Sequence, residues 1–176
     1  MFQTLKRRIQ DVRTLSRLCT GAEEFANREG RPRPGSEHFI LAALTLPDQT
    51  ARGAFTQLGL TESRFRDAIA AQHVDALASV GVSATAPGGS NDHYASIAGK
   101  SSVYEAHPSG ALLVQRLAET RQARANRCLL GADVLQAAAQ ESFSASSRAF
   151  KRLGISSGRL ADAAGEAIEQ ARANPP

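Results

Sequence analysis

The sequence has no tryptophan, two tyrosines and seven phenylalanines, so aromatic residues make up only 5% of it. Sheets draw heavily on aromatic and β-branched residues, whereas this apolar set is dominated by alanine, which favours close-packed helices. Cysteine is almost as scarce. Cys19 and Cys128 stand far apart, without a CxxC pair or a metal-like spacing to histidine. That excludes a disulfide framework and a zinc cluster from local sequence, and leaves two buried free thiols in a reducing cytoplasm as the expectation. No charged-then-apolar leader opens the chain and no run of apolar residues reaches membrane-spanning length, so neither secretion nor a membrane is expected. A strong charge of one sign is also missing. The net charge is +4 and the only dense basic run is Lys6-Arg7-Arg8, with acids interspersed elsewhere. A solvated surface is the better reading of that surplus than a nucleic-acid patch.

With 42% hydrophobic residues over 176 positions, there is material for a packed core in one compact domain or two small ones. Phe2, Leu5, Ile9, Val12, Leu15, Leu18, Ala22 and Phe25 recur at three- and four-residue steps and predict one long amphipathic helix. Gly30 stops it, and Pro32 and Pro34 prevent its resumption. Ser36 is the expected N-cap of a second helix, Glu37 to about Leu46. Its run Phe39-Ile40-Leu41-Ala42-Ala43-Leu44 is apolar nearly all round, which predicts a central, buried element. A short helix to about Leu58 ends at Gly59, and Thr61 caps a fourth helix bearing Phe65, Ala68, Ile69, Ala76 and Leu77. From about Val80 to Ala106 the periodicity vanishes, and Ala86-Pro87-Gly88-Gly89-Ser90-Asn91-Asp92 is loop chemistry.

The two sides of that stretch are related. Ala22, Glu23, Arg28, Arg31 and Gly35 pair with Ala118, Glu119, Arg124, Arg127 and Gly131 at an offset of 96. After a one-residue slip, Ala54-Phe55 pairs with Ala149-Phe150, Leu58-Gly59-Leu60 with Leu153-Gly154-Ile155, Arg64 with Arg159 and Asp67 with Asp162. Asn126 stands opposite Gly30, and both residue types tolerate the left-handed conformation after a helix. The expectation is an all-α chain of eight helices in two pseudo-symmetric four-helix repeats: 1–79, a linker over 80–106, and 107–176. The second set falls at a helix to about Arg124, then 132–140, 144–153 and 157–172, with Asn174-Pro175-Pro176 frayed.

Gly35-Ser36-Glu37-His38, the apolar helix after it, Leu58-Gly59-Leu60 and the duplication together resemble the repeat of Clp ATPase N-terminal domains. The resemblance covers about 12–78 and 108–172. It implies a non-catalytic bacterial module that binds substrate proteins, adaptors or peptides ahead of ATPases that unfold proteins for proteolysis or disaggregation. The ATPase modules are not in this sequence, so the expectation is a stand-alone N-domain: an adaptor, a decoy, or a module of another system. Some members of the family recognise phosphorylated arginine through the glutamate of Gly-Thr-Glu-His in each half and a threonine at the start of each half. Here Glu37 is kept, but the second half reads Gly131-Ala132-Asp133-Val134, and Val12 and Pro108 stand at the threonine positions. These departures count against phosphoarginine in both halves, and more so in the second.

The candidate site residues are therefore Ser36, Glu37, His38 and Asp133. In the first turn of a helix Glu37 gains about 0.3–1 kcal/mol from the helix dipole. The functional alternative has it accept a guanidinium beside an anion held on the helix N-terminus. His38 is better read as a satisfied interior histidine, hydrogen-bonded between helices, than as a catalyst. Ala132 gives up the cap of Ser36, which typically costs about 0.5–2 kcal/mol, with Asp133 compensating in part. Gly99-Lys100-Ser101 fails as a phosphate loop because Tyr94 stands where glycine is required. Asp92, His93 and His107 lack the further ligands a metal needs. No cofactor and no enzymatic activity are expected. The expected partner is a protein or peptide, with a Clp-type ATPase, its adaptors or its substrates foremost. A nucleic-acid regulator using Lys6, Arg7, Arg8, Arg13 and Arg17, and a receptor for a small molecule or peptide antibiotic, are the alternatives.

Overall fold

The described residues form eight helices in the computed structural model, which describes residues 2–79, 106–123 and 127–173, without the side chains of 2–4, 73, 75–79 and 123. They are α1 (Phe2–Arg28), α2 (Ser36–Leu44), α3 (Thr50–Gln57), α4 (Glu62–Ser79), α5 (Pro108–Ala123), α6 (Gly131–Ala139), α7 (Ala145–Arg152) and α8 (Ser157–Ala173). Among the described residues there is no strand. The stretch expected as a linker lies outside the description over 80–105, as do Asn126, Asp92, His93, Tyr94, Gly99, Lys100 and Ser101.

The punctuation read from the sequence is built as capped ends. Leu60 N–H donates to the Phe55 carbonyl at 2.9 Å across Gly59, whose φ is +66°. The end of α7 repeats this: Ile155 N–H reaches the Phe150 carbonyl at 2.9 Å across Gly154, at φ +75°. Such closure satisfies carbonyls that a helix end leaves unpaired, and a left-handed backbone favours glycine. Thr61 caps α4 as expected, its hydroxyl accepting from Arg64 N–H at 3.2 Å.

α2 is buried at all nine positions, Ser36 through Leu44, as its all-round apolar run predicts. It packs between α1 and α6. α6 in turn meets α3, α5 and α8, while α3 packs on α8 and α4 on α7. The third helix of each half thus lies against the fourth helix of the other. The rings of Phe55 and Phe150 meet edge to face at 6.1 Å, and Phe65 lies 4.9 Å from Phe150. One continuous core therefore draws on residues from Leu18 to Ile168. The boundaries at 79 and 107 divide the sequence; the packing runs across them.

Two sequence expectations are corrected here. The first concerns α1, whose stripe buries only its later turns. Leu18, Ala22 and Phe25 are buried, but Leu5, Ile9 and Val12 are exposed. The reason is phase: at about 3.6 residues per turn Leu5, Ile9 and Val12 lie about 140° round the helix from Leu18, Ala22 and Phe25, and it is Asp11 and Thr14 that those early turns bury. The second concerns the start of α2. Gly35, with extended backbone, precedes the first helical residue, and Ser36 is already inside the helix.

Candidate functional site

The four candidate residues sit at the N-termini of the two central helices, α2 and α6. At α2, Gly35 N–H donates to His38 Nδ1 at 2.8 Å, so the His38 ring caps its own helix from the third position. An Nδ1 that accepts leaves Nε2 to carry the proton, and Nε2 lies 3.1 Å from Glu29 Oε2, just beyond α1. His38 thereby ties the end of α1 to the start of α2. It is fully buried, as an interior histidine serving two helices should be. The hydrogen bond from His38 holds the Glu29 carboxyl below its ordinary range, helped by Arg31 and Arg66 and opposed by burial.

At α6 the same position belongs to Asp133. Its carboxylate accepts from Leu130 N–H at 2.9 Å and forms a two-pronged pair with Arg127. Helix starts at Ser36 and Gly131 set the structural offset at 95, so Asp133 matches His38 in register, and Ala132 matches Glu37. The one-residue slip falls ahead of α2 and α6, and the pairing of Glu37 with Asp133 read from the sequence is corrected accordingly. Ala132 gives up no cap either. Its N–H is taken by Thr50 Oγ1 at 2.9 Å, and Gly131 N–H by the Asp48 carboxylate at 3.2 and 3.3 Å, both from the other half. Gly131 also lets this helix start approach α2 closely: a Cβ there would lie 3.0 Å from the Ala43 carbonyl oxygen. Asp11 extends the same cross-capping, accepting from Leu129 N–H at 2.7 Å and from Arg121 at 2.9 Å. The crevice beside Arg127 and Asp133 measures only about 10 Å³, room for a water at most. The Asp133 corner is closed structure.

The Glu37 corner is built differently. The carboxylate folds back over Gly35, where a Cβ would lie 2.6 Å from Oε2. Glu37 is 5% exposed, and its Oε2 is buried without a hydrogen bond. Ser36 Oγ meets Ser146 Oγ at 2.9 Å, and Ser36 N–H donates to Ser109 Oγ at 3.3 Å. A second acid, which sequence reasoning missed, completes the corner. Glu141, in the loop after α6, is 6% exposed, and neither carboxyl oxygen receives a hydrogen bond of ordinary geometry. Burial pushes its carboxyl above the usual range and the Glu37 charge adds to this, while the nearby hydroxyls of Ser144 and Ser36 and the Arg116 guanidinium pull the other way. Two acids with buried oxygens at one corner disfavour an anion there. Nothing local in the sequence marks Glu141, since the position one repeat earlier is Leu46.

The structure thus brings Ser36, Glu37 and His38 together with Glu141 and Ser146, and sets Asp133 in a separate corner with Arg127. His107, the described member of the metal-ligand candidates, donates its backbone N–H to the Pro34 carbonyl at 3.0 Å and its ring faces Ser109. Among the described residues no cluster of three metal-ligating side chains exists. Both thiols are raised above their ordinary value, chiefly by burial, with Glu23 beside Cys19 and Asp11 beside Cys128 adding to it. Raised thiols make poor nucleophiles. One larger cavity, about 310 Å³, opens between α6, α7 and the start of α8, floored by Ala138, Phe150, Ile155 and Leu160 and edged by Glu141 and Lys151. No described helix is long and apolar enough to cross a membrane. No family model matches the chain, and no curated protein matches it.

Proposed function

We propose that the chain is a non-catalytic protein-binding module of the Clp N-domain kind, built from two four-helix repeats, and that it serves ATP-dependent unfolding or proteolysis. The observation that carries this reading is the constant offset of 95 between α2 and α6, between α3 and α7, and between their capped ends at Gly59 and Gly154. Helices of nine and eight residues recur in the same order with the same closure. The reading is further supported by the packing of α3 on α8 and α4 on α7, which joins the two halves in one core. Such a body offers binding surfaces on its outer helix faces.

On this reading buried His38 ties α1 to α2, Ser36 ties α2 to Ser109 and Ser146, and a partner meets the surface around this corner. The test is an unfolding assay. The purified chain is added to a bacterial Clp-type ATPase acting on a fluorescent unfolded substrate. Delivery raises the ATP-dependent rate, and withholding lowers it. A rate unmoved at saturating chain counts against the reading.

The 310 Å³ cavity favours one second reading, a receptor for a small apolar molecule, because ligand pockets begin at about this size. A compound that raises the melting temperature with no protein partner present, and fails to do so when Ala138→Phe fills the cavity, would establish it.

A further inference from the structure

The first turns of α1 carry a second feature. Leu5, Ile9 and Val12 are 58%, 46% and 64% exposed. They follow one another at steps of four and three, the spacing of a coiled-coil seam. Scattered exposed apolar residues need no explanation, but three in register on one helix edge form a stripe that recognises another helix. The positions flanking the seam are occupied by Lys6, Arg8 and Arg13, all exposed, none of them ion-paired with a described residue. The only acid in the first 22 residues, Asp11, is turned inward onto Leu129 N–H and Arg121. The edge is therefore apolar along its centre and purely cationic along both sides.

We infer that this edge of α1 docks an acidic amphipathic helix of a partner protein, with apolar residues against Leu5, Ile9 and Val12 and carboxylates against Lys6, Arg8 and Arg13. This deepens the protein-binding reading and rests on it. Charge decides the occupant. A second copy of the chain would bring like charges together at the flanking positions in either orientation, which is how helix pairs are kept apart. A phosphate backbone would use the cations and leave the apolar seam unburied. A lipid surface would use both, but it needs no heptad step, and the apolar strip spans only two turns. A partner helix with leucines in register and glutamates beside them uses every feature.

The test uses two fluorescent synthetic helical peptides with the same leucine seam, one flanked by glutamates and one by lysines. Titrated with the full chain, the glutamate peptide binds about tenfold or more tightly, and added salt narrows the difference. Ile9→Asp abolishes binding without moving the melting temperature, because the side chain is already exposed. Reversing Lys6, Arg8 and Arg13 to glutamate switches the preference to the lysine peptide. Equal binding of the two peptides, or binding unchanged by Ile9→Asp, overturns the inference. So does stronger retention by phosphatidylglycerol vesicles or by a DNA duplex that Ile9→Asp abolishes. The peptide assay contains no Clp component. Its failure leaves the unfolding assay to judge the broader reading, and a null unfolding assay leaves the α1 result standing.

Discussion

Replacing Glu141 with glutamine should stabilise the protein at neutral pH. Both carboxyl oxygens are buried without a hydrogen bond, and the Glu37 charge lies close enough to oppose ionisation. Burying an acceptor without a partner costs about 1–3 kcal/mol, and more when it is charged. Glutamine keeps the shape, removes the charge and its repulsion with Glu37, and gives up the attraction of the carboxylate to the Ser144 and Ser36 hydroxyls and to Arg116. A net gain of about 1–2 kcal/mol remains after allowing for that lost attraction. In a chain of this length it corresponds to a rise of about 2–8 °C in melting temperature. The pH dependence follows from the direction of the shift. A raised carboxyl binds its proton more tightly folded than unfolded, so stability falls as pH climbs from the ordinary carboxylate range through the raised value. The penalty is complete above that value. Melting curves by circular dichroism, collected from acid to neutral pH on both proteins, should therefore diverge as pH rises and converge in acid. A variant no more stable at neutral pH, or one that keeps the full wild-type slope, would refute the reasoning.

Glu29 should behave with the opposite sign. Its lowered carboxyl contributes stability above the ordinary carboxylate range that is lost as pH falls through the lowered value, so Glu29→Gln should weaken the fold at neutral pH and flatten the acid limb of the melting profile. Asp133→Ala leaves the partly buried Arg127 guanidinium without its carboxylate and frees Leu130 N–H. A loss of about 3–5 kcal/mol is expected by chemical denaturation. Gly154→Ala meets no atom within 4 Å but must adopt a φ of +75°, so it should cost about 1–2 kcal/mol, with Gly154→Asn costing less.

Much of the fold was legible because helix ends are written in residues with special backbone needs. Gly30, Gly59 and Gly154 take the positive φ that their positions in the sequence imply. Phe39 to Leu44 announces a buried helix because no face of it is polar. What periodicity does not say is which surface a face meets. The apolar steps of α1 average less than one helical turn, so the stripe drifts round the helix, and Leu5, Ile9 and Val12 face solvent while Asp11 and Thr14 in the same turns pack inward. The exchange of α3 and α4 across the halves is likewise invisible, since an amphipathic helix records that it is buried and not against what. The order of helices on either side of 80–106 was legible, but the place of the one-residue slip between them was not. A loop absorbs an extra residue without changing composition, so Asp133 was paired with Glu37 when its hydrogen bond places it with His38. The candidate corner was half legible. Ser36, Glu37 and His38 are adjacent in sequence. Glu141 and Ser146 come from the far half through tertiary packing and carry no local signal.

The most direct test of the proposed role is affinity capture. The immobilised full chain is exposed to nuclease-treated bacterial extract, and the bound proteins are identified by mass spectrometry against a blank resin. The account predicts selective recovery of a Clp-type ATPase, its adaptors or its degradation substrates. Recovery of nothing above the blank resin, or of nucleic acid alone when the nuclease is omitted, would contradict it.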